Sequence, residues 1–267
     1  MPIALFVLGL VAGIASGMFG IGGGVIIVPV LVTVLGFALQ QATGTSLAAL
    51  LMPVGIFAVL EYHRANKLNL RAAAWIAAGL AIGAIFGANV ALSLPSATLR
   101  QIYGIFLLYA SWRFVEPRKW LAEIRGQANT ATSASETATM VAWYWMALLG
   151  VVAGIASGMF GIGGGVIIVP ALVGLLRFDQ KTAAGTSLAA LLLPVSLGGV
   201  IVYYQSGQLD LGVAVAVALG LLIGAFAGAR IALGLPSKTI KRIYGIFLLF
   251  VGLYFIFRDL LFLAATR

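Results

Sequence analysis

Four glycines in five residues, Gly20, Gly22, Gly23 and Gly24, interrupt a strongly apolar stretch, and the interruption returns at Gly161, Gly163, Gly164 and Gly165. In hydrocarbon every backbone N–H and C=O needs a partner, so irregular backbone survives there only inside protein or along a wet cavity. After each break a helix is expected to start near Val25 or Val166. Its first N–H groups lack intrahelical acceptors and carry the positive end of the helix dipole. Glycine lets an anion approach such backbone closely. Two such ends facing each other would make an anion site near the membrane midplane without a buried cation. The alternative is that the glycines only let helices pack closely. Each costs about 1 kcal/mol in a helix relative to alanine, and packing alone seldom justifies four together.

Hydroxyls form the second constellation. Gly44-Thr45-Ser46 and Gly185-Thr186-Ser187 each open an apolar run that ends at Pro53 or Pro194. Thr45, Ser46, Thr186 and Ser187 either cap helix starts or donate to a bound oxyanion. Ser16 and Ser157 stand behind them, because a helix-internal serine usually bonds its own backbone. Arg230 is the one basic residue well inside an apolar run, opposite Asn89 in the first half. It either serves an anion path or snorkels to the interface beyond Pro236.

Catalysis and metal binding find little material. Cysteine is absent and His63 is the single histidine, so disulfides and Cys/His metal sites are excluded. Glu61, Asp179 and Asp210 sit at run ends rather than mid-span, which leaves no intramembrane carboxylate relay. No nucleophile–base pair suggests an enzyme, and no cofactor is expected.

The elements that must position these groups are repeated. GIASGMFGIGGGVIIVP runs from Gly13 to Pro29 and again from Gly154 to Pro170, an offset of 154 − 13 = 141 that also relates Pro53 to Pro194 and Pro95 to Pro236. The chain is 62% hydrophobic and 9% charged, against about 25% charged in soluble domains. It belongs in lipid, and its +9 net charge lies in short gaps that offer no face for nucleic acid. The opening residues could pass for a signal peptide, but they lack a basic start and recur at Gly154. They are read as structure.

Each half holds five apolar runs; in the first they cover roughly 3–19, 24–37, 43–62, 70–94 and 97–115. The last three are expected to span. The first two, joined by the glycine break, are either short spans or a hairpin that turns back. The expected fold is an all-α polytopic membrane protein with two inverted repeats, each a short broken-helix hairpin at the Gly-rich motif plus three spanning helices. The first repeat covers 1–115, a polar linker 116–139, and the second repeat 140–267. Inversion rests on charge: it puts Arg64, Lys67, Arg71, Arg113, Arg118, Lys119, Arg125, Arg177, Lys181, Lys238, Lys241 and Arg242 on one side and only Arg100, Arg258 and Arg267 on the other. Lys and Arg prefer the cytoplasmic side, so the linker is expected inside and both termini outside.

The paired GMFGIGGGVIIVP segments, the AALLxP elements, IGAFAGARIALGLP and RIYGIFLLF resemble the sulfite exporter TauE/SafE family of bacterial inner-membrane permeases. The resemblance implies transport of a small sulfur-containing oxyanion such as sulfite or a sulfonate. It also implies a path lined by Phe19 to Gly24 and Phe160 to Gly165, with Thr45, Ser46, Thr186 and Ser187 beside it. One departure is ATGTS at 42–46 against AAGTS at 183–187, which gives Thr43 a hydroxyl on one side only. The expected partners are the anion and the lipid bilayer; homo-oligomerisation is neither required nor excluded. An anion channel with the same site and a non-transporting membrane assembly subunit stand as alternatives.

Overall fold

The computed structural model describes residues 2–115 and 142–236, together with 245–246, 248–255 and 257. The expected linker, 116–139, and Lys238, Lys241, Arg242, Arg258 and Arg267 lie outside these residues. Eleven helices follow in order among the described residues. The first half has α1 (Pro2–Phe19), α2 (Gly24–Thr33), α3 (Leu39–Leu51), α4 (Ile56–Arg64), α5 (Leu70–Ser93) and α6 (Ser96–Val115). The second has α7 (Trp143–Phe160), α8 (Gly165–Gly174), α9 (Gln180–Leu192), α10 (Leu197–Gln205) and α11 (Leu211–Gly234). A further helical stretch covers 248–255.

Four helices, α1, α5, α7 and α11, are long and apolar enough to cross a membrane, and six spans result if each bent pair counts as one. The first run of each half is therefore long enough to cross by itself. The third run, expected as one span, is a bent pair. Met52 precedes Pro53 and takes φ −65°, ψ 149°, the extended conformation that proline imposes on its predecessor. As a result α3 and α4 meet at 53°, and α9 and α10 at 51° around Pro194. The helix α6, also expected to span, is 20 residues long but is not among the four; it carries Arg100 and Arg113.

Two helix pairs make the frame, α1 with α11 and α5 with α7. Their seams are glycines: a β-carbon on Gly17 would lie 2.1 Å from the Ala225 carbonyl oxygen, and one on Gly83 would lie 2.2 Å from that of Val151. Small residues let membrane helices touch through their backbones, where lipid supplies no hydrophobic drive. Contacts along α1 and α11 advance together, Gly9 with Val217 and Gly17 with Ala225, so the two helices run the same way. The outer faces stay apolar, with Ile82, Ile85, Phe86, Leu219 and Ile223 exposed. A helix apolar on both faces suits a hydrocarbon solvent.

The halves exchange equivalent contacts. Tyr62 Oη donates to Gly17 O at 2.9 Å, and Tyr203 Oη donates to Gly158 O at 2.9 Å. These two bonds each lie within one half; between the halves, the Asp210 amide donates to Thr45 Oγ1 and the Asn69 amide to Thr186 Oγ1, a pair related by the 141-residue shift with the halves swapped, as a two-fold relation requires. Where α6 packs on 248–255, Tyr103 meets Phe255, Leu108 meets Gly252, and Ser111 donates to Gly245 O. The positions advance in opposite senses, so these two stretches are antiparallel.

Candidate site between the two glycine breaks

At the end of α1 the Gly20 amide bonds Ser16 O at 2.8 Å, and at the end of α7 the Gly161 amide bonds Ser157 O at 2.7 Å. The chain then doubles back. A β-carbon on Gly23 would lie 3.1 Å from Ala12 O, and one on Gly164 would lie 3.2 Å from Ala153 O. This turn needs left-handed backbone: Gly23 and Gly164, the N-cap residues of α2 and α8, have φ of 79° and 78°. Such values cost other residues about 1–2 kcal/mol. The two breaks pack on each other, since a β-carbon on Gly24 would sit 2.0 Å from Gly161 O, and one on Gly165 would sit 2.3 Å from Gly20 O.

Polar groups at the breaks are divided by sign. Ser46 Oγ donates to Gly161 O at 2.7 Å and Ser187 Oγ to Gly20 O at 2.6 Å. With Tyr62 and Tyr203 on Gly17 O and Gly158 O, carbonyls at the negative ends of α1 and α7 are occupied. The first amides of α2 and α8 are not. Ile26 and Ile27 bond Gly23 O, as Ile167 and Ile168 bond Gly164 O. The amides of Gly22 to Val25 and of Gly163 to Val166 meet no backbone carbonyl among the described residues. The result is a local surplus of donors at two positive helix ends.

A cavity of about 20 Å³ lies between the halves, room for a single water. Its lining is nearly two-fold: Ser16 and Ser157, Gly22 and Gly163, Leu47 and Leu188, Leu50 and Leu191, Val54 and Val195, Gly55 opposite Ser196, with Leu192 in addition. The tips of Leu191 and Leu50 close over Gly22 and Gly163, each 3.2 Å from a β-carbon placed there. The bends at Pro53 and Pro194 deliver Val54, Gly55, Val195 and Ser196 to the cavity. Neither the leucine pair nor the bends stood out in the sequence; the 141-residue offset around the prolines is the signal that points to them.

The expected site residues lie in several places. Gly22 and Gly163 line the cavity, while Gly20, Gly23, Gly24, Gly161, Gly164 and Gly165 form the backbone around it without lining it. Thr45 and Thr186 accept hydrogen bonds from the Asp210 and Asn69 amides at 3.0 and 3.1 Å. They tie α3 and α9 to the starts of α11 and α5, and Ser46 and Ser187 tie the breaks. Phe160 stacks on Tyr103 and Phe106 with centroids 5.1 and 5.4 Å apart, and Phe19 is buried. Thr43 is fully buried beside Gly161, and its hydroxyl lacks a partner.

Arg230 is elsewhere. Its side chain is 60% exposed and reaches Glu61 Oε1 at 3.4 Å, with the guanidinium 4.2 Å over the Phe226 ring. Arg64 shares the same carboxylate at 3.3 Å, and Lys67 pairs with Asp179 at 3.5 Å. The twins of Glu61 and Arg230 are Val202 and Asn89, so this ionic cluster sits at one end of the molecule only. Among the described residues no group of three or more His, Cys, Asp or Glu could hold a metal ion.

Residues 5–255 match the family described as Sulfite exporter TauE/SafE. The chain belongs to the TauE/SafE family. Its relatives within reach of alignment carry the same kind of name. This TauE/SafE protein is 30% identical over 272 residues to Probable membrane transporter protein YunE of Bacillus subtilis (strain 168), across 97% of this chain and 98% of that one. It is 26% identical to Probable membrane transporter protein YdhB of the same organism, over 86% and 89% of the two chains. With Probable membrane transporter protein MJ0441 of Methanocaldococcus jannaschii (strain ATCC 43067 / DSM 2661 / JAL-1 / JCM 10045 / NBRC 100440) it shares 25% identity over 94% and 93%. No solved structure matches it. The TauE/SafE chain is thus a multi-pass membrane transporter, not an enzyme by the names of its family and relatives.

Proposed function

We propose that this chain carries a small sulfur-containing oxyanion, of the sulfite, sulfonate or related organosulfur class, and binds it between the Gly22 and Gly163 breaks. The cavity shared by the halves carries the reading: Gly22 and Gly163 line it with amides that meet no backbone carbonyl, the free amides opening α2 and α8 follow them in the chain, and the nearby carbonyls of Gly17, Gly20, Gly158 and Gly161 are held by hydroxyls. Donors free and acceptors occupied favour an anion over a cation. The family's printed description, which names sulfite, supports the substrate class. A cavity of about 20 Å³ is too small for sulfite, so entry requires the halves to part, which favours a carrier over a standing channel. In this reading the anion-lining set is Gly22 and Gly163 with the glycine backbone around them; Thr45, Ser46, Thr186, Ser187, Phe19 and Phe160 brace it, and Arg230 draws anions toward one mouth.

The halves, 1–115 and 140–267, are read as inverted repeats of the kind that place half-helix N-termini at a midplane anion. The antiparallel packing of α6 on its twin stretch 248–255 supports this. Charge supports an orientation: Arg64, Lys67, Arg71, Arg177, Lys181 and Arg230 lie toward the end where α4 and α11 finish, and Arg100 toward the other. By the positive-inside rule the first end faces the cytoplasm with the 116–139 linker, in a bacterial inner membrane with both termini outside. Purified protein in liposomes should take up ³⁵S-sulfite saturably and show counterflow. Flux linear in concentration without counterflow would indicate a channel, and no movement of sulfite, methanesulfonate or sulfoacetate would overturn the proposal.

A further inference from the structure

A serine within a helix ordinarily donates to a carbonyl three or four residues earlier, as Ser93 does to Val90 O and, just past the end of α10, Ser206 does to Val202 O. The other buried serines donate too: Ser46 to Gly161 O, Ser187 to Gly20 O, Ser111 to Gly245 O and Ser196 to Leu47 O. Ser16 and Ser157 break this pattern. They are 3% and 4% exposed, both line the cavity between the halves, and neither hydroxyl has a hydrogen-bond partner among the described residues. Their carbonyls are spent on the Gly20 and Gly161 amides, so only the side chains are free. Their hydroxyl oxygens are not among the fully buried unpartnered atoms; they open onto the cavity, where a water or a ligand can meet them. Two twin positions, one turn before each break, thus present free hydroxyls to the cavity.

We propose, resting on the transport reading above, that Ser16 and Ser157 are the side-chain donors that hold the transported oxyanion, one from each half. Their hydroxyls approach from opposite sides of the two-fold relation, with Gly22 and Gly163 completing the lining. Once the halves part to admit it, a compact group whose oxygens diverge from one sulfur, as in sulfite or the –SO₃ end of a sulfonate, offers one oxygen to each hydroxyl. No Lys or Arg lines the cavity, so neutral donors set the affinity. A site without a counter-charge holds its anion weakly enough to release it, which transport requires. Ser46 and Ser187, by contrast, act as positioning residues that hold the breaks.

The test is ³⁵S-sulfite transport by Ser16→Ala, Ser157→Ala and Ser46→Ala in liposomes, with thermal unfolding of each in detergent. Loss of one hydroxyl donated to a charged oxygen should raise KM about tenfold or more. The effect should be similar at positions 16 and 157, with the maximal rate retained and the unfolding temperature unchanged or raised. Ser46→Ala should instead lower the unfolding temperature. Should an alanine variant fail to fold, Ser16→Cys and Ser157→Cys keep the volume with a much weaker donor and should show the same rise. Wild-type transport together with unchanged KM in the serine variants overturns this assignment and leaves the transport reading standing. A wild-type protein that moves neither sulfite nor methanesulfonate overturns both.

Discussion

Replacing Gly22 with alanine separates the cost of the break from its use. Gly22 has φ 83°, so a β-carbon there incurs about 1–2 kcal/mol of left-handed strain. Sterically the methyl is tolerable, because its nearest neighbour is the Leu191 Cδ1 tip at 3.2 Å, and a leucine end can shift. The cavity it enters is only about 20 Å³, and a methyl group, roughly the size of a water, fills it. Gly36→Ala is the matched control: φ is 70° there with nothing within 4 Å, so it carries the same strain without touching the cavity. Both variants should lose about 1–2 kcal/mol of stability, read by denaturant unfolding in detergent. In liposomes Gly36→Ala should transport sulfite at the wild-type rate per folded molecule, while Gly22→Ala should lose nearly all flux. A folded Gly22→Ala protein with wild-type flux would refute the claim that the anion passes between the breaks.

Three further outcomes follow from the packing. Ser187→Ala, like Ser46→Ala, strands a buried carbonyl and should cost about 1–3 kcal/mol, with the twin positions equal in thermal unfolding. Gly83→Leu would start a side chain 2.2 Å from Val151 O, whereas Gly234→Leu meets nothing within 4 Å; the first should abolish monodisperse protein on size exclusion and the second should not. Burial raises the Asp179 pKa, but the Thr182 hydroxyl and amide, the Lys67 charge and the Lys181 amide outweigh it and leave the carboxyl below its usual range. A lowered pKa gives stability that is present above the ordinary carboxylate value and lost as pH falls through the depressed one. Melting temperatures followed down from about pH 6 should therefore fall in acid, and Asp179→Asn should flatten that fall.

The glycine breaks were legible because glycine is costly in a helix, and because the 141-residue repeat showed the same cost incurred twice. Helices do start at Gly24 and Gly165, beside the expected Val25 and Val166. The bend at Pro53 was only half legible: the proline marks an end to the run that Gly44 opens, but apolar residues resume beyond it as far as Tyr62, and hydrophobicity cannot report an angle. The fates of the hydroxyls were hidden for another reason. Ser46 meets Gly161 across 115 residues, and Arg230 meets Glu61 across 169, separations that no local pattern encodes. Local rules even misdirect at Ser16 and Ser157, where a helix-internal serine is assumed to bond its own turn, yet here both residues line the cavity between the halves and neither hydroxyl bonds its own turn.

The most direct measurement is the position of a bound heavy anion, with selenite standing in for sulfite and located by anomalous scattering in the loaded protein. A single selenium peak between Gly22 and Gly163, within hydrogen-bonding reach of the amides that open α2 and α8, is the predicted result. Selenium found only beside Arg64, Lys67 and Arg230, with none between the breaks, would contradict it.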